Sequence, residues 1–161
     1  MGDQAQLSVR NMRGQVLKFK IKGSKVHVKM KYKNKEAGIK NVILSYRSKV
    51  ETIDYPFEYK VTRSGDHYII DAQIDMSVLS LEELFWDVFA VTEKNGEEVR
   101  VSAYWSRWQR LKLLLMNYQC DVDQEHIFFP YSTITCKMAF TYRTRSKYDG
   151  FDVKIKELAA F

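Results

Sequence analysis

From Lys18 to Lys33 lysines alternate with apolar residues, and that two-residue period leaves the segment few conformations. Lys18, Lys20 and Lys22 alternate with Phe19 and Ile21. Beyond Gly23-Ser24, Lys25, Lys29, Lys31 and Lys33 alternate with Val26, Val28, Met30 and Tyr32. Successive side chains of a strand point to opposite faces, so the pattern sorts cleanly only on extended backbone. It predicts two strands joined at Gly23-Ser24, with one face buried and the other densely cationic. Such a face suits an anionic partner. It equally suits a solvated surface, or lysines that guard a sheet edge against pairing. Phe19 and Tyr32 fall on the apolar face, where they cannot stack on a base, so nucleic acid is not the expected partner.

The charge is local. Residues 1–49 hold 13 Lys and Arg against only Asp3 and Glu36, whereas residues 50–161 hold 13 against 18 acidic residues. A chain of 161 residues, 45% hydrophobic and 14% aromatic, fits one packed domain. Cys120 and Cys136 are too few for a disulfide framework and have no metal-ligand spacing, which points to free thiols in a reducing compartment. No apolar run approaches the ~20 residues of a membrane-spanning helix. Met1 to Gln6 show no signal-peptide core, so a cytoplasmic location is expected.

Strand signals recur along the chain. Val42 to Tyr46 is a short apolar run, and Phe57 to Val61 alternates before a turn at Arg63 to Asp66. His67 to Ile74 reads as the return strand. Asp75 to Glu83 breaks the alternation and reads as a crossover with one helical turn. Leu84 to Thr92 carries Trp86, Val88 and Ala90 on one face and Phe85, Phe89 and Val91 on the other, the pattern of a central, sandwiched strand. Asn95-Gly96 is the preferred pair for a tight type I′ turn, and Val99 to Ala103 runs back. Trp105 to Tyr118 satisfies both a helical and a strand period. Asp121 to Glu125 is a polar turn, after which Ile127 to Phe129 and Thr133 to Tyr142 resume strand patterning.

Many short strands without βαβ alternation predict an all-β fold, an antiparallel β-sandwich of immunoglobulin-like architecture. The sandwich is expected to occupy residues 1–147. Residues 148–161 read as a linker and the start of an amphipathic helix capped by Asp152, leading to a further domain.

Catalytic chemistry finds little footing. His27, His67 and His126 are far apart in sequence, with no i, i+4 or Cys pairing to make a zinc site. Asp121, Asp123, Glu125 and His126 form the one cluster with hard-cation character, without the glycine and closing glutamate of a calcium loop. No serine sits in a nucleophile elbow, and no glycine-rich loop cradles phosphate. Adjacent acids such as Glu82-Glu83 and Glu97-Glu98 point to opposite faces of a strand and cannot act as a pair. No catalytic residue, metal or cofactor is expected. Two binding surfaces remain: Lys18, Lys20, Lys22, Lys25, Lys29, Lys31 and Lys33 as an anion-contacting face, and Trp105, Arg107, Trp108 and Arg110 as a glycan or lipid-interface patch. Core tryptophans with solvent-facing arginines explain the second patch as well.

Ile127-Phe128-Phe129-Pro130-Tyr131-Ser132-Thr133, followed by Lys137 to Arg143, resembles a strand pattern of teichoic-acid-type polymerases, the CDP-glycerol glycerophosphotransferases and related wall or capsule polymer transferases. Trp86 to Val91 before a glycine turn is similar to the central tryptophan-aspartate hairpin of that family. Tyr148 to Glu157 is similar to its link into the catalytic domain. The resemblance implies a non-catalytic, β-rich accessory domain of a transferase at the inner face of the bacterial membrane. The catalytic bases of such enzymes lie downstream, so none is carried onto this chain. The implied partners are the chain's own downstream catalytic domain and an anionic polyol-phosphate polymer or inner-leaflet lipid, with juxtamembrane lysines contributing about 1 kcal/mol each. A stand-alone carbohydrate-binding β-sandwich and a purely structural interaction domain are the alternatives.

Overall fold

The computed structural model describes residues 14–33, 38–116 and 118–145. The expected boundary at 147/148 and the C-terminal helix lie outside these residues. Eleven strands run in chain order: β1 (Gly14–Lys22), β2 (Lys25–Lys33), β3 (Ile39–Tyr46), β4 (Asp54–Pro56), β5 (Glu58–Ser64), β6 (His67–Asp75), β7 (Leu84–Lys94), β8 (Glu97–Tyr104), β9 (Cys120–Asp121), β10 (His126–Ser132) and β11 (Met138–Thr144). A one-turn 3₁₀ helix, Met76–Val78, follows β6, and a short helix, α1 (Arg107–Leu115), follows β8.

The strands form one curled, nearly closed sheet in the order β5-β6-β2-β1-β8-β7-β11-β10-β9, with β3 and β4 branching from β7. The fold is mostly β, as expected, with one short helix; the antiparallel arrangement is corrected, and an immunoglobulin-like sandwich finds no support. The sheet is mixed and continuous, because β1 pairs in parallel with the end of β8 at Gly14–Ala103 and Gln15–Tyr104. One strand joins the two halves. Along one edge of β7, β8 pairs with Phe89–Lys94 and β11 takes over at Leu84–Asp87. Freed of β7, the last residues of β8 reach β1. At the far side Tyr59 on β5 donates its hydroxyl to Lys40 O on β3 at 2.7 Å, and Phe57 N donates to Val42 O at 2.8 Å.

The core lies inside the curl. Met30 and Tyr32 from β2, Ile70 from β6, Trp86 from β7, Phe128 from β10 and Phe140 from β11 are fully buried there. Phe128 stacks on Phe140 with centroids 4.7 Å apart. Trp86 packs between Tyr46 and Tyr55, and its indole N–H donates to Glu82 O at 2.9 Å. Tyr32 needs room made for it: a Cβ on Gly14 would stand 2.3 Å from its ring, so glycine is required at that position by close approach.

A β-bulge shapes the site. The register between β1 and β2 shifts between Val16 and Lys18, leaving Leu17 as the extra residue. Gly14 and Val16 face inward before it, and Phe19 and Ile21 face inward after it. The lysines of β1 therefore face outward. Gly23, at a φ of 61°, makes the turn into β2.

The expected central strand is central, but among the described residues no second layer covers Phe85 and Phe89 on its outer face, where Val91 is buried. Trp86, Val88 and Ala90 of β7 are buried inward, whereas Phe85 and Phe89 on the other face are half-buried. Guanidinium groups cover them in place of a second layer. Arg47 and Arg143 lie 5.2 and 5.9 Å from the Phe85 ring, and Arg100 lies 6.0 Å from Phe89.

Candidate functional site

The structure gathers all seven ladder lysines on the outward face of the β1–β2 hairpin. Lys18 pairs across with Lys29, Lys20 with His27 and Lys22 with Lys25; Gln15 faces Lys31. Lys29 and Lys31 are half-buried and the other five are exposed. Neighbouring strands are roughly 4.8 Å apart and alternate residues roughly 6.7 Å apart. These spacings lie inside a screening length of roughly 8 Å at physiological salt, so the fields of the ammonium groups overlap. Among the described residues none of the seven forms an ion pair. Tyr32 occupies the inward face, away from any ligand on the lysines, whereas Phe19, also inward, reaches the margin of β1 beside Lys18 and Lys20.

The next strand sets a border. On β6, Asp71 lies opposite Lys29, Gln73 opposite His27 and Asp75 opposite Lys25. Asp75 is engaged elsewhere: it accepts from Ser77 Oγ at 2.7 Å, Ser24 Oγ at 2.8 Å and Ser77 N at 3.0 Å. The Ser77 and Ser24 hydrogen bonds hold its carboxyl below the ordinary value, with a further contribution from Lys25. It caps the 3₁₀ turn. The cationic stripe is thus two strands wide, with acids along one side and an open margin along the other.

Along that margin runs α1. Ser106 accepts from Gln109 N at 3.2 Å, and the Gln109 side chain accepts from Ser106 N at 2.8 Å, a reciprocal capping box. This Ser-x-x-Gln signal resolves the helix-or-strand ambiguity of the segment. Trp105, 5% exposed, is a core anchor that donates its indole N–H to Tyr131 O at 3.1 Å and packs edge-on against Phe19. Trp108 is 63% exposed, with Lys112 Nζ 5.7 Å from its ring centre. Arg107 is exposed and Arg110 half-buried. The two tryptophans therefore do not share one exposed platform.

Between β1 and α1 lies a groove of about 320 Å³. One wall is Leu17 to Lys20; Gln109, Lys112 and Leu113 line the other. It brings Lys112, which sequence reasoning did not select, to Lys18 and Lys20. The advance signals are the Ser106-x-x-Gln109 capping pair and the helical spacing that follows it.

The acidic cluster near β10 is a turn. Asp123 accepts from Glu125 N at 2.8 Å, His126 N at 2.7 Å and the Tyr142 hydroxyl at 3.3 Å, and its carboxylate lies 3.1 Å from His126 Nδ1. The imidazole stacks on Tyr142 with centroids 4.7 Å apart. Burial, then the Asp123 charge, push the Tyr142 phenol up to about 12. Among the described residues no three His, Cys, Asp or Glu side chains are placed to hold a metal ion, and no helix is long and apolar enough to cross a membrane.

No protein-family model matches the chain, and no curated protein does. Solved structures do. The fold is similar to that of S. aureus TarS, with a TM-score of 0.60 at 14% identity, over 86% of this chain and 25% of that one. It is likewise similar to the S. aureus TarS 217-571 structure, with a TM-score of 0.57 at 14% identity, over 86% of this chain and 40% of the other. The chain spans a quarter of the first structure and two fifths of the second, and at this identity the likeness is one of fold.

Proposed function

We propose that this chain is a non-catalytic accessory domain of a bacterial cell-wall or capsule polymer transferase, and that its lysine face holds a phosphodiester-bearing anion. The observation that carries the reading is the two-strand lysine stripe, which has no ion pair among the described residues. Seven ammonium groups at this spacing repel one another, and a chain of phosphates laid along them would relieve that repulsion while releasing counterions. The resemblance of Ile127 to Arg143 to wall-polymer transferases, and the fold likeness to TarS, a teichoic acid glycosyltransferase, supply the setting. In that setting the phosphates come from a polyol-phosphate polymer or from inner-leaflet lipid.

Binding by such a face is electrostatic and salt-sensitive, with a slope that grows with the number of phosphates neutralised. The test substitutes glutamine for Lys18, Lys20, Lys29 and Lys31 together. Retention on immobilised glycerol-phosphate polymer, and on phosphatidylglycerol against phosphatidylcholine vesicles, is measured from 50 to 200 mM salt. We expect the variant to lose most retention on one anionic matrix and its salt dependence to flatten. Unchanged retention on both refutes the proposal. A carbohydrate-binding reading has weaker support, since only Trp108 of the two tryptophans offers a free face.

A further inference from the structure

We propose that the groove between β1 and α1 is a docking site for an extended acidic segment of a partner protein, which adds to β1 as an edge strand. The proposal goes beyond the phosphate-binding reading, because Lys25, Lys29, Lys31 and Lys33 on β2 do not line this groove. Four observations carry it.

The first is the edge itself. β1 pairs with β8 only at Gly14 and Gln15, and among the described residues Lys18 to Lys22 are paired on the β2 side alone. In an antiparallel pair every second residue turns its N–H and C=O away from its partner. Among the described residues this half of β1 therefore presents unpaired backbone groups, the template for an added strand. Upstream, Val16 O is already taken by Gln109 Nε2 at 2.6 Å, so the free template begins just beyond it.

The second is the shape of the wall. Leu17, Lys18, Phe19 and Lys20 line the groove in unbroken succession. A cavity on a sheet face would be lined by alternate residues, since neighbours point opposite ways. Consecutive residues mean that the groove follows the backbone edge.

The third is the opposite wall. Leu113 of α1 is buried at the groove floor, and Tyr118 closes against Phe19 at 5.6 Å. A strand laid here would turn alternate side chains toward this apolar floor.

The fourth is charge. Lys18 and Lys20 from β1 and Lys112 from α1 line the groove, and none forms an ion pair among the described residues. Lysine-lined edges resist indiscriminate pairing. They admit a segment that brings its own carboxylates, at alternate positions facing the lysines. Backbone hydrogen bonds then give affinity, and the alternate side chains give specificity.

The test uses the full chain, isotope-labelled, with a capped seven-residue peptide of alternating aspartate and valine. Comparison peptides carry lysine for aspartate, or backbone N-methyl groups on alternate residues in one register or the other. We expect the aspartate peptide to slow amide exchange within Lys18–Lys22, and N-methylation in only one register to weaken binding by at least about tenfold. The lysine peptide should not bind, and Lys112→Gln should weaken the aspartate peptide several-fold. Equal binding by both N-methylated peptides would show plain charge attraction and overturn the proposal. So would absence of binding at ~1 mM peptide, or the same amide protection from a glycerol-phosphate oligomer. Retention of the chain on phosphate matrices is read separately and does not depend on this outcome.

Discussion

The β1–β2 and β7–β8 hairpins are built on one plan and treat charge in opposite ways. Each turns tightly through glycine, Gly23 in the first and Gly96, after Asn95, in the second. In β1–β2 the apolar residues keep to one face, and the cations on the other have no ion-pair partners among the described residues. In β7–β8 both faces carry large apolar groups, and the arginines beside them are tied down. Arg47 grips Asp87 with two hydrogen bonds of 2.6 and 3.0 Å, and Arg100 grips Asp54 at 2.7 and 3.2 Å while reaching Ser45. The first hairpin carries seven lysines, the second only Lys94 and Arg100 with Arg47 and Arg143 beside it. Counting which cations are already matched separates a surface that consolidates the fold from one that is free to meet a partner.

Three substitutions probe that contrast. Trp86→Ala, at the inner face of β7, should cost about 3–5 kcal/mol, read as a lower urea midpoint, since it empties a fully buried site between two tyrosines. A loss as small as that of a surface change would mean that β7 is not the spine of the core. Asp54→Asn should cost less than about 1 kcal/mol at neutral pH, as its pair with Arg100 is partly exposed. The hydrogen bond from Arg100 holds the Asp54 carboxyl below its ordinary value. Its contribution is therefore complete above the ordinary carboxylate pKa and is lost as pH falls through the lowered one. The difference in stability between wild type and Asp54→Asn should shrink accordingly on acidification; a gap that widens would contradict the pairing. Lys20→Gln should move stability by no more than about 0.5 kcal/mol in either direction. A marked gain would show that repulsion across the lysine face strains the folded domain, and a marked loss would show a hidden partner for Lys20.

What the sequence could disclose follows from how far apart the interacting residues lie. The lysine face was legible because a period of two and one turn define it within Lys18 to Lys33. The β7–β8 hairpin was legible for the same reason, through Asn95-Gly96. Leu17 gave no warning, since a bulged residue in an apolar-basic stretch looks like another position of the alternation. The parallel contact of Gly14 with Ala103 joins segments that no local pattern relates, and with it went the antiparallel sandwich. Phe85 and Phe89 promised a second covering layer. An aromatic ring under a guanidinium reads, in sequence, like a ring under another sheet. The groove was hidden twice over, because its walls are distant in sequence and one of them belonged to an ambiguous segment.

Leu17 also gives β1 two separate addresses. Before it, the strand belongs to the wall of the curl, closed against β8. After it, the strand stays paired with β2, and among the described residues no strand pairs with its other margin. One inserted residue thus lets the wall be sealed and the margin be rewritten independently. Changes of sequence from Lys18 to Lys22 could retune what the domain grips without reopening the joint that holds its two halves together.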